Sequence, residues 1–293
     1  MRFTVFTPTY NRASLLPRLY ESLKRQSFTD FEWVIVDDGS SDGTEKLISG
    51  YINENSSFPI VYKHTENGGK PKAVNLGVTL ARGELFIILD SDDYLTDDSL
   101  EIIDRMEKTI PQEEKARFAG VCGLKGYESG DIIGKSFEGR DFLDCTNLER
   151  IKNGILGDKS EALYTEVMKR YPFPIFEGEK FITESIILDR MAHDGLKTRY
   201  FNRVTMICEY RADGLSEQGK RLFVNNPRGY GLFLHECGKF GRHGFKERIR
   251  SFASYVNTYK GVMDDKEIAR NIKSGVFKVK LVKICLNIFR KGK

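Results

Sequence analysis

The sequence predicts an α/β fold in which a mostly parallel sheet is flanked by helices and is followed by a helical C-terminal extension. Three observations support this prediction. Short apolar runs alternate with segments of helical spacing up to residue 125, the links between them are short, and polar residues gather where the apolar runs end. Strands and helices that alternate with short links form right-handed βαβ units, whose strands build a parallel sheet.

Five short runs rich in Val, Ile and Phe predict buried strands. These runs are Phe3–Phe6, Trp33–Val36, Ile60–Tyr62, Leu85–Leu89 and Phe118–Val121. The segments between the first strands have apolar residues three and four positions apart, which is typical of helices that pack one face against a sheet. Such helices are predicted at 15–23, 43–52, 73–80 and 100–106.

The rest of the chain has a less regular pattern, beginning with a segment rich in Gly and charge. Helices are predicted at 161–172 and 183–193, a strand is predicted at 199–210, and Gly-punctuated helices are predicted from about residue 220. The first of these helices is expected to end at Pro172, because proline lacks an N–H and clashes with the preceding turn. We therefore divide the chain into a sheet-containing domain, 1–215, and a helical region, 216–293.

Composition excludes several classes of protein. The 293 residues are 40% hydrophobic and 30% charged, which is typical of a globular chain and not of a disordered or collagen-like one. The five cysteines form no CxxC pair and predict free thiols in a reducing compartment. The chain starts without the layout of a signal peptide, and no run approaches the roughly 18 apolar residues of a spanning helix. We therefore expect a cytoplasmic protein.

Charge is distributed unevenly along the chain. The net charge is +4, but no acid follows Glu267, whereas eight of the 46 basic residues do. Residues 1–267 therefore hold 38 basic and 42 acidic residues, a net charge of −4. This distribution argues against nucleic-acid binding by the body of the protein, and it favours an anionic surface as the partner of the basic tail.

Polar residues cluster at the ends of the first, second and fourth predicted strands, in Thr7–Arg12, Asp37–Gly43 and Asp90–Asp93. Because the carboxyl ends of parallel strands meet at one edge of a sheet, six acids crowd into one crevice, where cations are expected to offset their charge. Asp90 and Asp92 alternate along the chain, so both carboxylates can face one divalent cation. The alternative is that these acids only cap the following helix.

Other polar residues near these strand ends have both ligand-binding and structural interpretations. Tyr10 could stack on a planar base or line the edge of the core. Asp38 could accept hydrogen bonds from a base or ribose, or only shape a turn. The segment 67–72 opens the third helix with two glycines, Lys70 and Lys72, and its N–H groups and charges suit an anion such as pyrophosphate. The two lysines could equally be solvated side chains on a Gly-rich turn.

Four motifs occur in order along the chain: FTPTYNR (6–12), VDDGSSDGT (36–44), NGGKPKAVNLG (67–77) and LDSDD (89–93). In this combination the chain resembles a family 2 glycosyltransferase of the GT-A fold, over about residues 1–215. The resemblance implies an inverting enzyme of the bacterial surface-polysaccharide type that transfers a hexosyl or N-acetylhexosaminyl group from a nucleotide sugar, most often UDP-linked.

The resemblance also implies roles for individual residues in donor binding. Tyr10 would pack against the base, Asp38 would bind it, and Asp90 and Asp92 would hold the ribose and a Mn²⁺ or Mg²⁺ that bridges the diphosphate. The other residues expected to contact the donor are Thr7, Pro8, Arg12, Asn67, Lys70, Lys72, Ser91 and Arg211.

The general base implied by the resemblance lies on a helix, six residues before an Arg. In this sequence Glu184 takes that position before Arg190, and Thr183 stands where the family has a Glu. Glu179 and Asp189 are the alternatives. Glu184 could also be a first-turn acid that interacts only with the helix dipole.

A Tyr-Arg-x-His segment of the family corresponds to 210–213 in this chain. Asp213 stands where the family has the His that reaches the metal or diphosphate, so the resemblance implies Asp90, Asp92 and Asp213 as metal ligands. Arg211 would offset the charge of the diphosphate. The alternative is that this loop is only a turn.

The tail, 273–293, interleaves apolar residues with lysines, which predicts an amphipathic helix on an anionic membrane surface, close to a lipid-linked or glycan acceptor. This helix could instead pack on the catalytic domain or form a homodimer contact.

Two other functions remain as alternatives. A sugar nucleotidylyltransferase would carry a Gly-rich basic loop directly after the first strand, where this chain has TPTYNR. A catalytically idle nucleotide-sugar-binding protein is favoured only by the departures from the family pattern at Thr183 and Asp213.

Overall fold

The computed structural model describes residues 1–54, 57–209 and 219–291, with side chains as far as Leu286. The chain divides into two compact units. The first unit comprises Met1–Phe173 and Met191–Arg211, and the second comprises Pro174–Arg190 and Ala212–Lys293. The segment 174–190, which lies before the sequence-based boundary at residue 215, therefore groups with the C-terminal helices.

The N-terminal part of the first unit has the predicted βαβ pattern, with four parallel strands adjacent in the order β3-β2-β1-β4. The strands are β1 (Phe3–Thr9), β2 (Phe31–Asp37), β3 (Ile60–His64) and β4 (Leu85–Ile88). Helices α1 (Leu16–Lys24), α2 (Thr44–Asn53) and α3 (Lys70–Leu80) connect them, and α4 (Ser99–Lys108) follows. The predicted fold class is confirmed.

Beyond β4 the sheet has mixed strand directions. The remaining strands are β5 (Tyr94–Leu95), β6 (Phe118–Gly126), β7 (Phe142–Cys145), β8 (Lys159–Tyr164) and β9 (Lys197–Ile207). Strand β8 lies antiparallel between β4 and β6, and β9 runs parallel to β6. Strands β5 and β7 each pair antiparallel with β9. A 3-10 helix, Gln112–Arg117, precedes β6.

The helix predicted at 161–172 is wrong over its first third. Residues 161–164 belong to β8, and only the short helix α5 (Thr165–Arg170) follows. Leu163 pairs with Phe86 of β4 and with Gly120 of β6, so this segment fills the gap between two strands. Its backbone satisfies its hydrogen bonds on both sides, and this tertiary pairing outweighs a local pattern that is compatible with a helix.

The core of the first unit brings the helices close to the parallel strands. Trp33 of β2 is fully buried, and Tyr20 of α1 stacks on Tyr51 of α2 with 3.8 Å between ring centroids. On α3, Gly77 lies against Phe6 of β1 so closely that a Cβ there would be 2.1 Å from the ring. The absence of a side chain at Gly77 therefore lets α3 approach the sheet, which positions the start of α3 beside the strand ends.

The second unit contains the predicted helical extension. Helix α6 (Ser185–His193) precedes β9, and the later helices are α7 (Lys220–Val224), α8 (Pro227–Lys239), α9 (Phe245–Tyr259), α10 (Asp265–Asn271) and α11 (Val276–Lys291). Helices α9, α10 and α11 share a core that includes Tyr255, Ile268 and Val279. Within the described residues, no helix combines the length and the apolar character that crossing a membrane requires.

Candidate functional site

The carboxyl ends of β1, β2 and β4 meet at one edge of the sheet. The N–H of Asp38, directly after β2, donates to the carbonyl of Thr9 (2.8 Å), and the N–H of Leu89, directly after β4, donates to the carbonyl of Phe6 (2.8 Å). The loops that follow the three strands therefore leave the sheet side by side. Open α/β sheets bind ligands in the crevice formed at this edge.

The loops after β1 and β2 are joined by side-chain hydrogen bonds. Asn11 has a positive φ of 52°, a conformation that Asn adopts more readily than most residues. Its N–H donates to Ser40 Oγ (2.8 Å), and its Oδ1 accepts the N–H of Ser41 (2.8 Å). Tyr10 precedes this contact, and its side chain is 49% exposed. An aromatic ring is thus presented to solvent on an anchored loop at the mouth of the crevice.

The two aspartates that end β2 have different surroundings. Asp37 is fully buried; its Oδ1 accepts the N–H of Ser40 (2.8 Å) and its Oδ2 accepts the hydroxyl of Tyr62 (2.7 Å). Burial and hydrogen bonding to this carboxylate raise the pKa of Tyr62 above its ordinary range. Asp37 therefore shapes the turn and holds β3.

Asp38 anchors the start of α3. Its Oδ1 accepts the N–H of Gly68 (2.7 Å), and its Oδ2 accepts the N–H of Gly69 (2.8 Å). Asn67 donates its side-chain amide to the Asp38 carbonyl (2.8 Å). Among the backbone N–H groups of 67–72 that were expected to suit a pyrophosphate, those of Gly68 and Gly69 are thus bound by Asp38. Each Asp38 oxygen retains a second lone pair for a ligand donor.

Lys70 and Asp90 form an ion pair across the crevice. The Nζ of Lys70, the first residue of α3, lies 2.6 Å from Asp90 Oδ1 and 2.8 Å from Oδ2. Burial disfavours the charged carboxylate, but the charges of Lys70 and Lys125 outweigh burial and hold the pKa of Asp90 below its ordinary value. Asp90 is therefore ionised at neutral pH.

The two acids after Asp90, Asp92 and Asp93, have raised pKa values. Burial and the charge of Asp90 raise the pKa of Asp92. Burial raises the pKa of Asp93 to about 6, although Lys125 Nζ lies 3.3 Å from Asp93 Oδ2 and the thiol of Cys208 is 3.1 Å from the same oxygen. The charge of Lys125 acts on both Asp90 and Asp93, and no motif in the sequence points to this lysine.

The donor set at this loop fits a divalent cation shared with a diphosphate. Among the described residues, no group of three or more His, Cys, Asp or Glu side chains is arranged to hold a metal. Asp90 and Asp92 supply two carboxylates, and burial together with the charge of Asp90 raises the pKa of Asp92. Mg²⁺ and similar hard cations are commonly held by one or two carboxylates together with substrate phosphates and water. The pair fits a site that a ligand completes.

Arg18 belongs to this region, and no sequence motif indicates it. Its Nη2 donates to the carbonyl of Asp92 (2.8 Å) and lies 2.6 Å from Glu209 Oε2. Its guanidinium stacks 4.8 Å from the ring centroid of Tyr94, whose hydroxyl donates to Glu128 (2.9 Å). Arg18 therefore holds the backbone of the acidic loop, and a sequence separation of 74 residues leaves no local signal for this contact.

Two of the predicted donor residues, Thr7 and Ser91, are buried. Thr7 is fully buried and its Oγ1 accepts the Trp33 indole N–H (2.9 Å), so its side chain belongs to the core and not to the crevice. Ser91 is also buried, whereas Lys72 is exposed. Pro8 lies within β1 and Arg12 follows that strand, and both residues are half-buried. Arg211 and Asp213 lie outside the described residues.

Glu184 lies in the second unit, directly before α6, and is half-buried. Its carbonyl accepts the N–H of Ile187 (3.2 Å). The residue six positions later, Arg190, forms a bidentate ion pair with Glu236 at 2.8 and 2.9 Å. Arg190 therefore fixes α6 against α8, and Glu184 stands at the beginning of an anchored helix.

The alternative bases have structural partners. Glu179 accepts the N–H of Gly229 (2.8 Å) and, through Oε1, the N–H of Arg228 (2.8 Å), which caps α8. Asp189 is buried and accepts two hydrogen bonds from Arg242 Nη1, both at 2.7 Å. Both carboxylates thus hold the second unit together.

The N-terminal part of the chain is similar to known proteins of one family. Residues 4–111 match the family model described as Glycosyl transferase family 2. TarS from Staphylococcus aureus, a poly(ribitol-phosphate) beta-N-acetylglucosaminyltransferase, is 37% identical over 102 residues, which are 34% of this chain and 18% of TarS. A GalNAc(5)-diNAcBac-PP-undecaprenol beta-1,3-glucosyltransferase from Campylobacter jejuni is 30% identical over 193 residues, 62% of this chain and 55% of that protein. The chain thus matches at most about half the length of these relatives.

Solved structures show the same fold. The structure of S. aureus TarS 1-349 in complex with UDP-GlcNAc aligns with a TM-score of 0.61 at 18% identity, covering 100% of this chain and 93% of that one. The mannosyltransferase PcManGT from Pyrobaculum calidifontis, in complex with GDP-Man and Mn²⁺, aligns with a TM-score of 0.54 at 18% identity, covering 90% and 76%. At this identity the likeness concerns the fold.

Proposed function

We propose that this chain, whose residues 4–111 form a family 2 glycosyltransferase domain, transfers a sugar from a nucleotide-sugar donor to the hydroxyl of an acceptor. The observation that carries the proposal is the crevice at the strand ends. It combines an exposed aromatic ring (Tyr10), a buried carboxylate with free lone pairs (Asp38), and the acids Asp90 and Asp92 beside Lys70. These groups match the base, the ribose and the charged diphosphate of such a donor.

The donor that we propose is a UDP-linked hexose or N-acetylhexosamine. The N-acetylglucosaminyl and glucosyl transfer in the names of the relatives, and the UDP-GlcNAc complex of a structural neighbour, support this choice. Tyr10 is 49% exposed and available to stack on a base, and stacking of a base on an aromatic side chain is worth ~1–3 kcal/mol. Asp38 accepts a base N–H through its remaining lone pairs.

The cation that we propose is Mn²⁺ or Mg²⁺, held by Asp90 and Asp92 together with the diphosphate, with Asp213 as a further expected ligand. When bound, such a cation neutralises charge on the leaving nucleoside diphosphate. Lys70 supplies a second positive charge from the start of α3, 2.6 Å from Asp90. Pro8, Arg12, Asn67, Lys72 and Arg211 remain proposed donor contacts.

Glu184 is the base that we propose for proton removal from the acceptor hydroxyl. The hydroxyl oxygen attacks the anomeric carbon, the bond from that carbon to the diphosphate breaks, and the proton passes to the carboxylate. One displacement inverts the configuration at the anomeric carbon. The choice of Glu184 is supported by its place directly before α6, six residues ahead of Arg190, as the family resemblance implies for the base.

The acceptor that we propose is a glycan or a lipid-linked saccharide, as in the names of the relatives. All five cysteines are free thiols, which suits a reducing cytoplasm. We propose that the enzyme works at the inner face of the cell membrane, which its basic C-terminal helix contacts. A homodimer through that helix is the alternative use of the same surface.

The experiment that tests the donor site is a thermal-shift panel of nucleoside diphosphates and nucleotide sugars, with and without Mn²⁺. A ligand that binds the native state raises the unfolding midpoint by mass action. We expect the largest shift for UDP or UDP-sugars with Mn²⁺, its loss in Asp92→Asn, and its retention in Asp141→Asn, an exposed acid of the same unit. A wild-type protein that responds to no nucleotide would contradict the proposed donor site.

A further inference from the structure

Helix α11 has two apolar faces, and among the described residues one is packed into a core and the other is exposed. The inner face comprises Val276, Val279, Val282 and Leu286, which pack into the core that α9 and α10 share with this helix. Val279 is fully buried. Lys283 pairs with Asp265 at the start of α10 and further holds α11 in place. The helix is therefore an integral part of the second unit.

The outer face of α11 comprises Phe277, Leu281 and Ile284, whose exposed fractions are 77%, 50% and 56%. These residues are spaced four and three positions apart, so they lie on one side of the helix, opposite Val279. Single exposed apolar residues are common on protein surfaces, but three large ones in one helical stripe indicate a binding surface.

Positive charge flanks this outer face. Lys278 and Lys280 are exposed and lie about 100° around the helix from Val279, one in each direction. The two lysines therefore border the outer face on its two sides. The chain contains no acid after Glu267, whereas residues 1–267 carry a net charge of −4. An anionic surface therefore attracts this segment more strongly than it attracts the rest of the chain.

We infer that the outer face of α11 docks on an anionic lipid surface, with the helix axis parallel to the membrane plane. Phe277, Leu281 and Ile284 enter the boundary between head groups and acyl chains, and Lys278 and Lys280 meet anionic head groups. A second copy of this chain fits less well, because the same lysines of both copies would approach each other. The inference rests on the membrane contact in the proposed function, and it adds the face and the residues that make it.

The test is sedimentation of the chain 1–293 with vesicles of phosphatidylcholine plus phosphatidylglycerol, compared with vesicles of phosphatidylcholine alone. We expect the wild type to bind the anionic vesicles, and Phe277→Ser/Leu281→Ser to bind them at least about tenfold more weakly because buried apolar area is lost. Lys278→Gln/Lys280→Gln is expected to weaken binding and to reduce its sensitivity to salt. Val262→Ser changes an apolar residue of the same unit that is 80% exposed, and it is the matched control.

Equal binding by the wild type and Phe277→Ser/Leu281→Ser, or no binding by the wild type, would overturn the inference. Light scattering that finds a wild-type dimer, a monomeric Phe277→Ser/Leu281→Ser and no lipid binding would assign the face to a contact between copies, and so would also overturn it. The unfolding midpoint of each variant shows that it folds. Vesicle binding needs no donor, and the UDP thermal shift needs no lipid, so failure of the docking surface is distinguishable from failure of the proposed transfer.

Discussion

The ammonium group of Lys70 lies within 2.6 Å of the carboxylate of Asp90, so one ion pair joins the start of α3 to the acidic loop after β4. This pair explains how an acid that is surrounded by Asp92 and Asp93 stays ionised: the positive charges of Lys70 and Lys125 outweigh burial and hold its pKa low. The crevice therefore holds a carboxylate ready for a cation and a lysine close enough to meet a phosphate.

Replacing Lys70 tests this relationship. Lys70→Met removes the charge-assisted hydrogen bond that we expect from Lys70 to the diphosphate. Such a contact is worth ~1.5–3 kcal/mol, so the dissociation constant of UDP with Mn²⁺ should rise about tenfold or more. Titration calorimetry measures the change. Lys46→Met, on the exposed side of α2, is the control and should leave the constant unaltered. If both variants bind UDP equally well, Lys70 takes no part in donor binding.

Asp38 should contribute to stability as well as to donor binding. Asp38→Ala leaves the N–H groups of Gly68 and Gly69 without their acceptor, and each such loss in a buried site costs ~1–3 kcal/mol. We expect the free energy of unfolding in urea to fall by at least about 1 kcal/mol. Asp38→Asn keeps one acceptor oxygen and should lose less. An unchanged unfolding curve for Asp38→Ala would mean that these hydrogen bonds contribute no net stability.

Glu184→Gln separates catalysis from binding. Removing a general base lowers kcat by ~10²–10⁴-fold, while the affinity for UDP should remain, since no proposed donor contact is lost. Transfer is measured with a UDP-sugar and acceptor, and affinity by calorimetry. Glu177→Gln changes an exposed acid nearby and is the control.

The Glu184 measurements also decide between the alternatives. Unchanged turnover in Glu184→Gln would remove Glu184 from the role of base. A wild-type protein that binds UDP-sugars but transfers to no acceptor would favour an idle binding protein. Glu179→Gln weakens the hydrogen bonds to Arg228 and Gly229, so a lower unfolding midpoint is expected from it.

Arg18 is expected to position the acidic loop without touching the donor. Arg18→Met removes the contacts of this guanidinium with the Asp92 carbonyl and the Glu209 carboxylate, so a higher Mn²⁺ concentration should be needed for half-maximal UDP binding. Arg18→Lys keeps the charge and should restore part of this loss. Arg25→Met removes an exposed arginine that follows the same helix and pairs with Asp97, and it is the control. An equal Mn²⁺ requirement in Arg18→Met and wild type would argue that the loop holds its conformation without Arg18.

A pH dependence of stability is expected from Glu107. Burial opposes its ionisation, but hydrogen bonds from Lys115, Tyr164 and Arg2 hold its pKa below the ordinary glutamate value. A carboxylate whose pKa is lower in the folded state stabilises above its unfolded pKa, and this contribution is lost as the pH falls through the folded pKa. The stability gap between wild type and Glu107→Gln should therefore be largest near neutral pH and narrow below about pH 4. A constant gap would contradict this linkage.

The sequence alone was sufficient for the parallel strands β1 to β4, the helices between them and the acidic strand ends, because these depend on local periodicity and on where apolar runs stop. It was also sufficient for the family resemblance, since four motifs occur in order. Nothing local, however, distinguished residues 161–164 as a strand: that segment became β8 because β4 and β6 offered hydrogen bonds on both sides.

The tertiary structure decided which polar groups meet. In the folded chain Thr7 accepts a hydrogen bond from Trp33 and lies away from the crevice. The N–H groups of Gly68 and Gly69 donate to Asp38. Arg18 donates to the carbonyl of Asp92. The tertiary structure also decided that Val279 faces inward on α11, where the sequence offers apolar residues all round the helix. These outcomes depend on pairings between residues that are far apart in the chain, and such pairings follow from how the elements pack rather than from the order of residues within any one of them.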